Sequence, residues 1–306
     1  MRTVFFGTPE WAVPSLEALL DSDFEVAAIV TNPDRPAGRG MQLKPSPVKQ
    51  RAVAAGIEVL QPEKARDQAL HERLRELRPD VATVVAYGSI LPVALLEIPP
   101  HGFVNVHFSL LPFYRGAAPV QRAIMEGRRE TGVSIMVLTE GMDEGPVLAR
   151  RETTIGSDDT AGTVGERLSH IGAELLAETL PRYVSGTLTA EAQDDARATY
   201  APKITPDEAR ISWSDPRSNI RDQVRAMNPV PGAWTLLEDE RLKVWRVEPV
   251  EGHDLAPGEL IVGNVPVVGT GEGALEIQDV QLRGKRRMTG AEFARGLRLG
   301  PKVSLG

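Results

Sequence analysis

Asn105-Val106-His107-Phe108-Ser109-Leu110-Leu111-Pro112 reads as the end of a strand and the turn that follows it. Gly102-Phe103-Val104 lead into it. Leu111-Pro112 turn the chain, because proline cannot donate to a central ladder. Side chains alternate between faces along a strand, so Asn105 and His107 share one face and Val104 and Val106 the other. The apolar pair suits a packing partner, whereas the polar pair must face water, a polar network or a site. Taken alone, a histidine near a strand end is as readily structural as functional. In open α/β sheets, however, ligands bind beyond the carboxyl ends of the strands, where this pair lies.

Working outward, residues 2–6 read as a buried strand, 14–20 as a helix opened by Pro14, and Glu25–Val30 as a second strand. That rhythm predicts a parallel sheet with right-handed crossovers. Gly7-Thr8-Pro9-Glu10 matches neither a dinucleotide fingerprint nor a P-loop. Residues 32–47 hold four prolines and two glycines with no helix or strand period. They read as a long loop, which in a domain of this kind is functional or disordered. Ser46 and Pro47 then open a helix that stops at Gly56. A strand at 57–60, a helix at 67–77, a buried strand at 81–86 and a short helix ending at Ile98 precede the Asn105 strand. After it come a helix at 120–125, strands at 133–138 and 147–155, and an amphipathic helix at 163–184. Asp143, in the turn Gly141-Met142-Asp143-Glu144-Gly145-Pro146, is expected to project from a carboxyl end of the sheet.

The pattern changes after Gly186. Residues 187–206 are polar, lack a helical stripe and read as a linker over the surface. Beyond them come a helix near 220–227 and short strands at 242–247, Glu259–Val262, 265–268 and 275–280. A helix at 291–297 comes last. Short strands broken by Gly and Pro predict a small barrel or sandwich. The expected domains are 1–186 and 207–306, joined by 187–206.

The chain has 306 residues, 42% apolar and 25% charged, the balance of a globular protein. It has no cysteine, hence no disulfide and no thiol chemistry. No apolar run is long enough to span a membrane, and Gly7-Thr8-Pro9-Glu10 interrupts the N-terminal apolar stretch too early for a signal peptide. A cytoplasmic location is expected. The net charge of −7 argues against a surface that binds nucleic acid everywhere. Two basic islands interrupt it. Arg283, Lys285, Arg286, Arg287, Arg295, Arg298 and Lys302 stand against Glu292 alone, and Arg35, Arg39, Lys44 and Lys49 against Asp34. Either island alone reads as a solvated tail or loop; together they suggest local capture of an anion.

Asn105, His107 and Asp143 lack a nucleophile, since Ser109 has no activating neighbour and no nucleophile elbow is present. One His and one Asp make a poor zinc site. Such a set can polarise a carbonyl, stabilise an oxyanion and move a proton, which fits acyl transfer between two bound substrates.

These residues carry a resemblance. Asn105-x-His107 with Ser109-Leu110-Leu111-Pro112, then Tyr114-Arg115-Gly116-Ala117-Ala118-Pro119 and Gly141-Met142-Asp143-Glu144-Gly145, resembles the folate-dependent formyltransferases. The likeness extends to Gly7-Thr8-Pro9, Val85-Ala86-Tyr87-Gly88 and the Pro33–Lys49 loop, which points to the tRNA-formylating branch. It implies an α/β fold with an N-terminal Rossmann-like, mostly parallel sheet and flanking helices, and a C-terminal OB-like small β-barrel. It implies Asn105, His107 and Asp143 as the catalytic trio. Ser109, Leu110, Leu111 and Pro112, with Ile90 and Leu91, would contact the folate; by themselves Ile90 and Leu91 read as core or rim residues. Arg39 and Lys44, and on the basic tail Lys285, Arg286 and Arg287, would contact tRNA. The co-substrate would be 10-formyltetrahydrofolate, with no metal. The partner would be initiator methionyl-tRNA, with no membrane and a monomeric enzyme. The chain departs from the pattern at Phe108, where many members have Gly, and at Phe113, where they have a basic or small residue. Two other readings stay open: formylation of a sugar amine or glycinamide nucleotide, and an RNA-binding module without catalysis.

Overall fold

The structure, a computed structural model, describes residues 1–37, 42–296 and 302–306. The chain divides into two units. The first takes Met1–Pro119, Glu130–Thr154 and Gly165–Ala201. The second takes Val120–Arg129, Ile155–Val164 and Pro202–Gly306.

The elements run β1 (Arg2–Gly7), α1 (Val13–Leu20), β2 (Glu25–Val30), β3 (Arg35–Ala37), β4 (Gln42–Lys44), α2 (Pro47–Ala54), β5 (Glu58–Leu60) and α3 (Gln68–Leu77). There follow β6 (Val81–Val85), α4 (Val93–Leu96), β7 (Phe103–His107), α5 (Pro119–Met125), β8 (Glu130–Val137), β9 (Val147–Thr154) and α6 (Ala161–Val184). The main sheet of the first unit has the order β5-β2-β1-β6-β7-β8-β9. β5 to β7 in that order are parallel; β8 and β9 are antiparallel. The expected mostly parallel sheet is the one formed.

Local chemistry explains the elements. Ser46 Oγ accepts the Lys49 N–H at 3.1 Å and caps α2, with Pro47 at its first position. β1 and β6 are almost fully buried, as central parallel strands are. On one face Phe6, Val84, Tyr87, Leu74 and Phe103 share a core. Each fully buried phenyl ring there contributes about 1.5–3 kcal/mol. On the other face α6 lies close against the sheet. A Cβ at Gly172 would stand 2.7 Å from Val106 Cγ1, and one at Gly165 2.1 Å from the Trp11 ring. Val106 therefore faces α6, and alternation turns Asn105 and His107 to the opposite face.

The second unit contains α7 (Arg217–Ala226), β10 (Trp234–Leu237), β11 (Glu240–Val250), β12 (Glu259–Val262), β13 (Pro266–Gly269), β14 (Ala274–Leu282), β15 (Met288–Thr289), α8 (Gly290–Gly296) and β16 (Lys302–Ser304). Its sheet runs β10-β11-β14-β13-β12-β16, with β15 paired to β14. Leu236 and Gly306 exchange backbone hydrogen bonds of 2.8 and 3.1 Å, and Leu237 bridges Leu305. The last strand thus returns to the first and the sheet closes on itself, the OB-like barrel expected. Leu242, Val244, Val268, Ile277 and Val280 fill it, with Phe293 of α8 and Ile220 and Val224 of α7.

Two expectations need correction. Residues 32–47 are not a featureless loop: β3 and β4 pair antiparallel within it. Proline at 36 and the strands' length of three residues hide any alternation. β8 is antiparallel to β7, with Val104 opposite Val137 and His107 opposite Ser134. Its exit therefore lies beside the start of β7, and Asp143 does not leave from the shared carboxyl edge. Trp234 and Trp245 lie at the margin of the barrel rather than in its core. Both are half-buried, with the Arg241 guanidinium 3.8 Å from the Trp234 ring and Lys243 Nζ 5.1 Å from the Trp245 ring.

Candidate active site

β7 ends on Asn105 and His107, one half-buried and the other 5% exposed. His107 Nε2 lies 2.9 Å from the Tyr114 carbonyl oxygen. A carbonyl only accepts, so Nε2 carries a proton and donates. The ring is thereby oriented, and Nδ1 is the nitrogen left for chemistry. Nδ1 lies 3.6 Å from Asp143 Oδ2. The Asn105 amide has no hydrogen-bond partner among the described residues, so its N–H groups are available to a ligand.

Asp143 reaches His107 because the 138–146 segment folds back over the sheet. Leu138 N–H donates to the Phe103 carbonyl, and Gly145 has no room for a Cβ, which would lie 1.9 Å from the Val137 carbonyl oxygen. Asp143 itself has φ +51°, a left-handed conformation that Asp tolerates better than most residues. Its Oδ2 accepts the Gly116 N–H at 2.8 Å. The same carboxylate oxygen thus bonds the Gly116 backbone and faces His107.

A further support comes from the segment read as a linker. Gln193 Nε2 donates to the carbonyls of Asp143 and Gly145 at 2.8 and 2.7 Å. Gln193 Oε1 accepts from Arg115 Nε and Nη2 at 3.1 and 2.9 Å. Arg115 is 3% exposed and also pairs with Asp195 at 2.6 Å. Backbone bonds join Glu191 to Val147 in both directions, Arg115 to Thr199, and Ala201 to Arg115. Residues 188–201 are a strap on the first unit. Nothing in their polar composition, some fifty positions beyond Asp143, announces it.

The Ser109–Pro112 turn is built from both ends. Ser109 Oγ donates to the Phe113 carbonyl at 2.6 Å. Ser134 Oγ donates to the Ser109 carbonyl at 2.7 Å and accepts the Leu111 N–H at 3.0 Å. Leu111 is 2% exposed and packs on Met136 and Val147. Leu110 lies over Gly132, where a Cβ would stand 2.5 Å away. Pro112 is buried. Phe108 keeps a negative φ, is buried and meets Trp11 edge-on at 6.0 Å. Phe113 lies beneath the Arg197 guanidinium at 5.2 Å.

Ile90 is 86% exposed, whereas Leu91 belongs to the core. Beside them, burial pushes the Tyr87 phenol up to about 12, so it stays protonated.

The basic residues lie elsewhere. Lys44 is exposed on β4 and lines a cleft of about 770 Å³ with Thr8, Asn32, Arg35, Ser46 and Gln50. Asp34, at the start of that hairpin, is held below the ordinary carboxylate value by hydrogen bonds from Lys49 and Gln61. Arg39 and Arg298 fall outside the described residues. Lys285, Arg286 and Arg287 are exposed in the turn between β14 and β15. Arg286 pairs with Glu292 at 3.0 Å and Arg287 with Asp279 at 3.1 Å. Among the described residues no cluster of His, Asp and Glu is arranged to hold a metal ion. No described helix is long and apolar enough to cross a membrane.

Residues 1–180 match the model of the formyl transferase family, and residues 203–298 that of the formyl transferase C-terminal domain. The chain belongs to the formyl transferase family. A relative from Streptomyces griseus, named methionyl-tRNA formyltransferase, is 50% identical over 309 residues and covers all of both chains. One of the same name from Citrifermentans bemidjiense is 47% identical, covering 100% of this chain and 96% of its own. Among solved structures, the fold resembles an N-formyltransferase from Helicobacter canadensis, described in complex with folinic acid and dTDP-3-aminofucose. The TM-score is 0.70 at 19% identity, covering 90% of this chain and 98% of the other. HypX from Aquifex aeolicus, described in complex with tetrahydrofolic acid, matches with TM-score 0.66 at 17% identity. It covers 99% of this chain and 50% of HypX.

Proposed function

We propose that this chain transfers the formyl group of 10-formyltetrahydrofolate to the α-amino group of methionyl-initiator-tRNA, giving formylmethionyl-tRNA for translation initiation. Support comes from the family membership, from full-length relatives of that name and from folate-type ligands among the structural neighbours. The observation that carries the chemistry is His107 Nδ1 standing 3.6 Å from the Asp143 carboxylate, with Asn105 two residues before His107 on the same strand.

In this reading the amine nitrogen attacks the formyl carbon and the carbonyl pair moves onto oxygen. The Asn105 N–H and a protonated His107 Nδ1 donate to that oxyanion; preorganised donors of this kind stabilise it most where water is excluded. His107 Nε2 stays on Tyr114 and keeps the ring from turning away. Asp143 accepts the proton released by the attacking amine. As the C–N10 bond breaks, the proton is returned to N10 and the oxyanion collapses to the formamide. Ser109, Leu110, Leu111 and Pro112 form the folate-facing turn, offering backbone groups more than side chains, since Leu111 and Pro112 are buried. Ile90 supplies an exposed apolar contact; Leu91 supports it from the core.

Residues 1–186 are proposed as the catalytic domain and 207–306 as the tRNA-binding domain; of the segment 187–206 expected to connect them, the strap 188–201 packs with the first unit. Arg39 and Lys44, with Lys285, Arg286 and Arg287, are proposed to contact tRNA phosphates. A monomer acting in the cytoplasm is the corresponding expectation.

The test is formylation of initiator and elongator methionyl-tRNA with the folate as donor. Formylmethionyl-tRNA from the initiator species is expected. Absence of product, or product only from amino-sugar or glycinamide nucleotides, overturns the proposal.

A further inference from the structure

We propose that Gln193 is a positioning residue of the formyl-transfer site, acting through Asp143. The inference rests on the proposed reaction and extends it to a residue outside the trio. The observation is a relay of side chains and backbone within the first unit. Arg115, 3% exposed, gives two guanidinium N–H groups to Gln193 Oε1, and Gln193 Nε2 gives both its N–H groups to the carbonyls of Asp143 and Gly145. All four ends of the Gln193 amide are thus fixed in one orientation, with oxygen toward Arg115 and nitrogen toward the turn.

The turn needs this support. Glu140-Gly141-Met142-Asp143-Glu144-Gly145 is rich in glycine and charge, and Met142 at its tip is 61% exposed. Asp143 is held at φ +51°, which a non-glycine residue keeps only where its surroundings determine it. Two groups do so from opposite sides. The Gly116 N–H takes Oδ2 at 2.8 Å, and Gln193 takes the carbonyl at 2.8 Å. Oδ2 is the atom that faces His107 Nδ1. Removing the Gln193 amide frees the backbone of Asp143 while leaving all three trio side chains chemically intact. A carboxylate displaced by about 1 Å costs on the order of 100-fold in turnover.

Only glutamine satisfies both sides. Glutamate at 193 would still accept from Arg115 but would set a carboxylate oxygen against the carbonyls of Asp143 and Gly145. Gln193→Glu therefore keeps size and the Arg115 contact while reversing the interaction with the turn. It separates positioning from packing.

The experiment uses the full chain as wild type, Gln193→Ala and Gln193→Glu. It measures kcat and KM for folate and methionyl-tRNA, thermal midpoints, amide exchange at Gly116 and the imidazole NMR signals of His107. The expected result is a kcat lower by about 100-fold in both variants, with each KM within about twofold and a cooperative melt above the assay temperature. The His107 signals shift and the Gly116 amide loses protection. Wild-type kcat in either variant overturns the inference. So does parallel damage to kcat, both KM values and the melt, or failure of both variants to fold, since each assigns Gln193 to stability alone. If wild type itself formylates no tRNA, the proposed function falls. The NMR readouts then decide separately whether Gln193 sets the Asp143–His107 geometry: unchanged signals in both variants overturn it.

Discussion

At the scale of single residues, the proposed reaction divides one task among Asn105, His107 and Asp143. His107 Nε2 is committed to the Tyr114 carbonyl, which leaves Nδ1 for the chemistry. His107→Ala and Asp143→Ala are each expected to lower kcat by about 100- to 1,000-fold with the fold intact. Steady-state kinetics beside circular dichroism check this; near-wild-type rates in either variant would place the chemistry elsewhere. The two strand residues were legible in the sequence, because alternation alone turns Asn105 and His107 to one face. Asp143 was legible only through the Gly-bounded motif. Its route to the site depends on an antiparallel β8 and a fold-back that strand periodicity does not encode. Gln193 was not legible at all. A polar residue in a polar segment carries no pattern, and its role exists only once the strap lies beside the turn.

At the scale of elements, boundaries followed local chemistry. Ser46 and Pro47 opened α2, and the apolar run at β6 became a central strand, because capping and burial are short-range effects. The β3–β4 hairpin and the short strands β10, β15 and β16 escaped, since two to four residues give alternation too little length. The hairpin presents Lys44 to solvent. Lys44→Ala is expected to raise the KM for tRNA several-fold, with a shallower salt dependence and an unchanged folate Kd. Equal damage to both would mean that the hairpin shapes the catalytic pocket instead. A second element-scale test concerns α5. Arg122 meets Glu208 at 2.5 Å, and Thr205 N–H donates to the same carboxylate at 2.8 Å. The hydrogen bond from Arg122, then that from Thr205, lowers Glu208 from 4.5 to about 2. A carboxylate whose folded value is depressed contributes stability above its unfolded value, and that contribution fades as pH falls toward the folded one. The melting midpoint should therefore fall from about pH 4.5 to about pH 2 with a component that Glu208→Gln removes. An equally steep acid limb in the variant would show that Glu208 contributes nothing to it.

At the scale of the whole molecule, the proposed substrate requires an acidic chain to take hold of a polyanion. The net charge is −7, so long-range attraction cannot come from the overall balance; it must come from exposed cations gathered in one place. The turn between β14 and β15 gathers Arg283, Lys285, Arg286 and Arg287 on one hairpin. The pairs Arg286–Glu292 and Arg287–Asp279 are solvent-exposed, with Arg286 at 80% and Arg287 at 49%. Such pairs are weak, and a phosphate can compete for them. Truncation is a poor test of this surface. A cut at Gly186 would also remove Gln193 and Thr199, which hold the catalytic turn and the Tyr114–Arg115 backbone. Charge reversal in the full chain avoids that. Lys285→Glu, Arg286→Glu and Arg287→Glu together should weaken methionyl-tRNA binding and reduce its slope against log salt by roughly one for each phosphate the hairpin no longer neutralises. The folate Kd and the trio geometry should not change. Filter binding across a range of salt concentrations measures the slope. If it stays at the wild-type value, the hairpin is a solvated cap on the barrel, and the tRNA phosphates must be held by other cations.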